Sequence, residues 1–345
     1  MGRLPLFAGL LIVLALASPA LAAKPPVAGT GSWADPQIQT VVAAGFMAPS
    51  ISEFRPDDSL TSGELAELIA ALGGEAAVPI PADPSAPVAL SELDAALVQH
   101  LGLGPTAKRF RSVLSAAGLE PTKRAGTAVV SKALKLHPNH TPESRELAPP
   151  SPVNRAEAAY AVARVLALPG SWELGDVQAR AAAFALPELG DWQRRILSRA
   201  VSFLGYPYVW AGSSEDEQAL GSGQAPGGFD CSGFVWRVYK LEPYPDAPQL
   251  AATLEGRTTY AMSAEVGPEL RIARDALLPA DVVFFGDRGP KSKPGQIGHM
   301  GIYLGNGWFV HSSSGGAGVM VSTLTGYYEE RFAWARRPLA EAGLA

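Results

Sequence analysis

The sequence predicts an α+β domain preceded by a smaller, mostly helical one, and three observations carry that expectation. Residues 33–168 are rich in alanine and leucine, with short amphipathic runs separated by proline-rich stretches at 78–87 and 137–152, which reads as short helices. From Asp191 the character changes, and residues 192–203 place Ile196, Leu197, Ala200, Val201 and Leu204 on one side of a helix. Aromatic and glycine-rich segments and a second helix follow, then β-rich runs at 281–285, 299–304 and 308–312, without the βαβ alternation of a parallel sheet. A chain of 345 residues, 47% hydrophobic and 18% charged, suits more than one folded domain and not disorder.

Element by element, the chain opens with Arg3, an apolar run at 6–17, then Ser18, Pro19 and the pattern Ala20-Leu21-Ala22. That is the pattern of a secretory signal peptide over residues 1–22, cut before Ala23. About 12 apolar residues fall short of the roughly 20 needed to span a bilayer, so no transmembrane segment is expected after cleavage. With no cysteine near the cut, a lipid anchor has no acceptor thiol.

The helical region, residues 32–168, contains three segments in which an apolar residue precedes a glutamate by four positions. They are Leu60 to Glu64, Val88 to Glu92 and Val153 to Glu157. Thr61 with Glu64, and Asn154 with Glu157, fit an N-cap and its reciprocal glutamate, a structural role. The stretch from Asp35-Pro36 through Gly45-Phe46 to Phe54-Arg55-Pro56-Asp57-Asp58 resembles a repeat of the S-layer homology family, whose modules hold proteins on cell-wall polymers. That resemblance implies a wall-targeting unit, with a helical spacer as the alternative. The unit is expected to fold separately and not to touch the chemistry. Residues 169–190 are expected to be a linker and 191–340 the catalytic domain.

A net charge of −5 without a basic run argues against a duplex nucleic-acid partner. The single cysteine, Cys231, excludes a disulfide framework and multi-cysteine metal sites, so neither metal nor cofactor is expected. Cys231 lies directly before the run Phe234-Val235-Trp236, where a helix start would face it with unpaired N–H groups and favour thiolate. In Gly298-His299-Met300-Gly301-Ile302-Tyr303-Leu304 the residues Met300, Ile302 and Leu304 alternate on one face, leaving His299 on the other. If Gly305-Asn306-Gly307 forms the loop, Leu304 faces Trp308, Ile302 faces Val310, and His311 lies opposite Gly301 on the face of His299. A two-residue loop, Asn306-Gly307, would separate the two rings. Cys231, His299 and His311 then supply a nucleophile, a base and an orienting group.

Residues 196–338 resemble the NlpC/P60 family of papain-like cell-wall peptidases. The matching stretches are Leu204 to Gly212, Phe229-Asp230-Cys231-Ser232-Gly233, Leu278 to Phe285, and Gly298 to Gly307 with His311. The resemblance implies a papain-like α+β fold, with Cys231 as nucleophile, His299 as base, His311 as third residue and Tyr208 beside the thiol. Asp230 and Ser232 would help bind the peptide. It further implies hydrolysis of peptidoglycan stem peptides, as a D,L-endopeptidase at γ-D-glutamyl–diamino acid bonds, in a secreted, wall-associated thiol protease. A muramyl-L-alanine amidase, an acyl transferase or an inactive wall-binding protein are the alternatives. Departures are Ala211 and Ala280, where glycine is usual and little cost is expected, and an insertion at 215–224.

Overall fold

The computed structural model describes residues 29–73, 82–140, 143–221, 223–316 and 318–345. The expected signal peptide, residues 1–22, lies outside them. Among the described residues no helix is long and apolar enough to cross a membrane.

The first half is helical: α1 (Asp35–Ala43), α2 (Ser62–Ala71), α3 (Leu90–His100), α4 (Gly104–Ala116), α5 (Ala125–Ala133) and α6 (Arg155–Ala167). Helices α2, α3 and α6 begin within the three glutamate-bearing segments, and their entry strands close a ring. The Leu60 N–H donates to Val153 O, the Val88 N–H to Leu60 O, and the Val153 N–H to Val88 O, each at 2.9 Å. Two residues on, Ser62, Leu90 and Arg155 donate to Ala86, Ser151 and Asp58, again at 2.9 Å. The three segments are therefore related by a pseudo-threefold axis. Their caps differ with their side chains. Thr61 and Glu64 form the full reciprocal box. Ala89 has no side-chain oxygen, so only Glu92 reaches back to its N–H. Asn154 caps Glu157 N, while the Glu157 carboxylate turns inward to His137 and His140.

Residues 169–190 are not a linker. They contain α7 (Trp172–Ala183), which buries Val177 and Ala181 and leads into the fully buried Phe184. Phe184 joins the halves: its ring lies 5.3 Å from Phe110 and meets Trp308 edge-on at 4.9 Å. One continuous apolar core runs from Ala34 to Leu339, so the halves pack as one body and not as the separate units expected from the sequence.

The second half begins with α8 (Asp191–Ser202), which buries Ile196, Leu197, Ala200 and Val201 as its periodicity requires. Next come four short strands, β1 (Ser213–Ser214), β2 (Gln218–Leu220), β3 (Gly223–Ala225) and β4 (Gly228–Phe229), then α9 (Cys231–Trp236) and α10 (Thr259–Ala264). The insertion at 215–224 folds largely as the β2–β3 hairpin. Glu215 anchors its base by accepting from Arg199 and Arg237 at 2.6 and 2.7 Å. The remaining strands, β5 (Val282–Gly286), β6 (Ile297–Gly305), β7 (Trp308–Ser313), β8 (Gly318–Thr323) and β9 (Phe332–Arg336), pair antiparallel in the order β8-β7-β6-β5-β9. Helix α11 (Tyr327–Arg331) links β8 to β9, and α12 (Pro338–Glu341) ends the fold.

Candidate active site

Cys231 is the first residue of α9, with Asp230 as N-cap accepting from the Gly233 N–H at 2.5 Å. The helix packs under β6, which brings the Met300 N–H to the sulfur. The N–H groups of Ser232 and Cys231 also bond to it and favour thiolate. Burial outweighs them, and with the nearby Asp230 charge the thiol is pushed up to about 12. Cys231 thus rests as a thiol, contrary to the expectation drawn from its helix start.

His299 stands near the start of β6, and its Nε2 lies 2.7 Å from His311 Nδ1 on β7. The hairpin reaches this arrangement by an unexpected route. Its turn is the two-residue one, Asn306-Gly307, both at positive φ (50° and 79°), a conformation that Gly and Asn tolerate. Leu304 bulges out of the ladder, so Tyr303 pairs with Phe309 while Gly305 pairs with Trp308. The bulge restores the pairing of Ile302 with Val310 that a three-residue loop would have given. Gly301 is needed beside the pair, because a Cβ there would lie 2.9 Å from His311 Cβ and 2.8 Å from Val310 O.

His311 is fully buried, and its Nε2 is 2.9 Å from Ser322 Oγ on β8. Burial pushes His299 down to about 4 and His311 well below its ordinary value. Both rings are therefore neutral at physiological pH. With His299 Nε2–H donating to His311 Nδ1, and His311 Nε2–H to Ser322 Oγ, each neutral ring carries one proton and Nδ1 of His299 is left as the acceptor. Phe285 stacks on His299 at 5.8 Å and 29° and fixes its plane.

Cys231, His299 and Tyr208 line one cleft of about 640 Å³ at the end of the sheet where β6 starts. Asp230 and Ser232 do not line it. Both are buried and hold each other and Arg257, which donates to Ser232 Oγ at 2.8 Å and to Asp230 at 3.3 Å. Their place is the architecture of the helix start and not the open cleft. The opposite wall comes from the helical half, through Lys132, Ala133, Lys135 and Arg180, so that half does reach the site. Ser322 and these cations escaped the sequence reading, since no motif or period marks residues that meet only in the folded chain. Among the described residues, no group of three or more His, Cys, Asp or Glu side chains is arranged to hold a metal ion.

A single thiol at a helix start thus shares one cleft with an imidazole that a second imidazole holds on an antiparallel sheet, within a papain-like α+β fold. Residues 205–337 match the NlpC/P60 family, and the C-terminal half of the chain is an NlpC/P60 domain. Among curated relatives, a probable peptidoglycan endopeptidase LytE of Bacillus subtilis is 32% identical over 41% of this chain and 34% of its own. A γ-D-glutamyl-L-lysine dipeptidyl-peptidase of the same organism is 30% identical over 42% and 41%. The chain therefore spans well under half of the length of these two relatives. A crystal structure of an NlpC/P60 family protein from Bacillus cereus is 26% identical over 46% of this chain and 43% of that one, with a TM-score of 0.33. Both curated relatives are named as peptidases.

Proposed function

We propose that the protein is a secreted, wall-associated cysteine peptidase that hydrolyses peptidoglycan stem peptides, as a D,L-endopeptidase at the γ-D-glutamyl–diamino acid bond. The observation that carries this reading is Cys231 sharing one cleft with His299, which His311 holds from behind, inside an NlpC/P60 domain. Because thiol and imidazole both rest neutral, the Cys231 proton passes to His299 Nδ1 as the sulfur attacks the amide carbonyl. The imidazolium so formed shares its Nε2–H with His311, which leans on Ser322. It then protonates the leaving amine, and the neutral ring draws a proton from the water that opens the thioester. The N–H groups of Cys231, Ser232 and Met300 around the sulfur are the available donors to the oxyanion. The ring of three repeats is read as a wall-targeting unit, supported by its pseudo-threefold construction and the motif resemblance of its helix starts.

Digestion of purified muropeptides, with the fragments identified by mass, tests the bond. Cleavage between γ-D-glutamate and the diamino acid is expected. Release of the whole stem peptide from muramic acid would replace the reading with an amidase. Cys231→Ala and His299→Ala should abolish turnover while leaving the fold intact, and His311→Ala should lose less. Near wild-type turnover in either of the first two would overturn the assignment.

A further inference from the structure

The chain carries a net charge of −5, yet the Cys231 cleft is lined by Lys132, Lys135, Arg180 and Arg331, against a single lining carboxylate, Asp287, among the described residues. These cations do not have equivalent surroundings. Lys132 is buried and faces the carboxylates of Asp94, Glu146 and Glu157 behind the cleft. Lys135 is exposed, at the left-handed residue just past α5 (φ 54°). Arg180 on α7 is largely enclosed; its Nη2 donates to Val321 O at 3.0 Å, and its charge acts on His311. Asp176, one turn earlier on α7, acts on Arg180 through its charge, but neither Lys135 nor Arg180 has a carboxylate at ion-pair distance among the described residues. Arg331 stacks 4.0 Å over Tyr327, and its buried Nε has no hydrogen-bond partner among the described residues.

A largely enclosed guanidinium with no carboxylate at ion-pair distance, as at Arg180, and a buried guanidinium N–H without a partner, as at Arg331, are costly unless an anion completes them. Here they converge on a reactive thiol, from elements as distant in sequence as α7 and α11. We propose that Lys135 and Arg180 of the helical half, with Arg331 across the cleft, form an anion subsite that takes a substrate carboxylate next to the scissile amide. The helical half is then a part of the active site that selects acidic peptides. This rests on the peptidase reading above and deepens it, naming the side chains that recognise the charge of the peptide. A planar carboxylate suits the guanidinium fork, while the exposed lysine adds charge at the mouth of the cleft.

The test uses two stem-peptide fragments that differ only in the α-substituent of the γ-linked D-glutamyl residue, a carboxylate in one and a carboxamide in the other. Binding is measured by calorimetry on the full chain carrying Cys231→Ala, and turnover on the full chain with Cys231 intact. The carboxylate peptide is expected to bind about tenfold or more tightly, the usual scale of a charge-assisted contact. Lys135→Gln and Arg180→Gln should each erode that preference through KM and not kcat, leaving the carboxamide peptide unaffected. Arg180→Lys should retain part of it, and Lys135→Glu should reverse it. Equal binding of the two peptides, or variants that weaken both alike, would overturn the subsite. If Arg180→Gln fails to fold, the exposed Lys135 variants decide alone. Selective binding with no cleavage of either peptide would leave the subsite standing and sink the peptidase reading, so the two failures are distinguishable.

Discussion

His311 stands between His299 and Ser322, with its Nδ1 2.7 Å from one and its Nε2 2.9 Å from the other, so the His299 ring is held by a chain two residues deep. Ser322 lies at the cleft wall with its hydroxyl on His311 Nε2, and its expected part is to hold that ring and its proton in place. Ser322→Ala should lower kcat by about tenfold or less and leave KM unchanged, because a water or the alternative tautomer partly replaces the hydroxyl. Steady-state kinetics on a muropeptide checks this. A fall as deep as that of His299→Ala would make Ser322 part of the chemistry itself.

On the proposed mechanism, the neutral resting His299 sets the acid limit of turnover. His299 is pushed by burial to about 4, below the 6.5 of the unfolded chain. Folded protein therefore resists its protonation: the stability is fully present above about 6.5 and is lost as pH falls from there through about 4, while the basic form of the folded protein persists down to about 4. The acid limb of kcat/KM is expected near pH 4, and a limb near 6.5 would show an imidazole open to water.

Ala211 and Ala280 stand where the family resemblance leads one to expect glycine, and the reason is now visible: their φ values are 62° and 73°. A left-handed alanine costs about 1–2 kcal/mol, and glycine returns about 0.4–1 of that as unfolded-state entropy. At the exposed Ala211 the balance favours glycine, so Ala211→Gly should stabilise by about 0.5–1 kcal/mol. Ala280 is 1% exposed, and losing its buried methyl costs about as much again, which makes Ala280→Gly nearly neutral. Urea unfolding of the two variants reads the difference directly.

How much of this was legible beforehand follows from how local each feature is. The alternation of Met300, Ile302 and Leu304, and the thiol placed before an apolar helix, are patterns within a dozen residues, and they locate the histidine pair and the helix start at Cys231. The bulge at Leu304 is not local in that sense, because it is set by how β6 and β7 both pack on the core. Helix α7 buries only Val177 and Ala181 among polar neighbours, too weak a stripe to separate it from a linker. The direction of the Cys231 shift depends on burial by α9 and β6, which no spacing encodes. The cationic wall joins residues 132–135 and 180 to a thiol at 231, a contact between distant segments that single-sequence periodicity does not carry.

A second buried cluster gives the helical half its own pH dependence. Burial pulls His137 down, but Asp94 at 2.6 Å and Glu157 at 3.4 Å raise it to about 9. A raised histidine contributes stability that is complete below the unfolded value of 6.5 and is lost as pH rises through about 9. A shift of this size corresponds to about 3 kcal/mol. The melting temperature is expected to decline between pH 6.5 and 9, and His137→Gln to flatten that slope while lowering stability throughout. An unchanged slope in the variant would assign the decline to another group.

Phe184 lies between Phe110 of the helical half and Trp308 of the sheet, and it is fully buried. If the halves were only tethered, removing this ring would loosen one of them and spare the other. With a continuous core, the cavity is shared, and Phe184→Ala should destabilise the whole chain by about 3–5 kcal/mol. Arg180 sits in the last turn of α7, just before Phe184, and donates to Val321 on β8, so the cleft wall should loosen with it. The expected result is one calorimetric transition in both proteins, shifted down in the variant, with KM for an acidic peptide rising more than kcat falls. Two separate transitions, with only the lower one moving and turnover unaffected, would show that the helical half folds and acts independently of the catalytic domain.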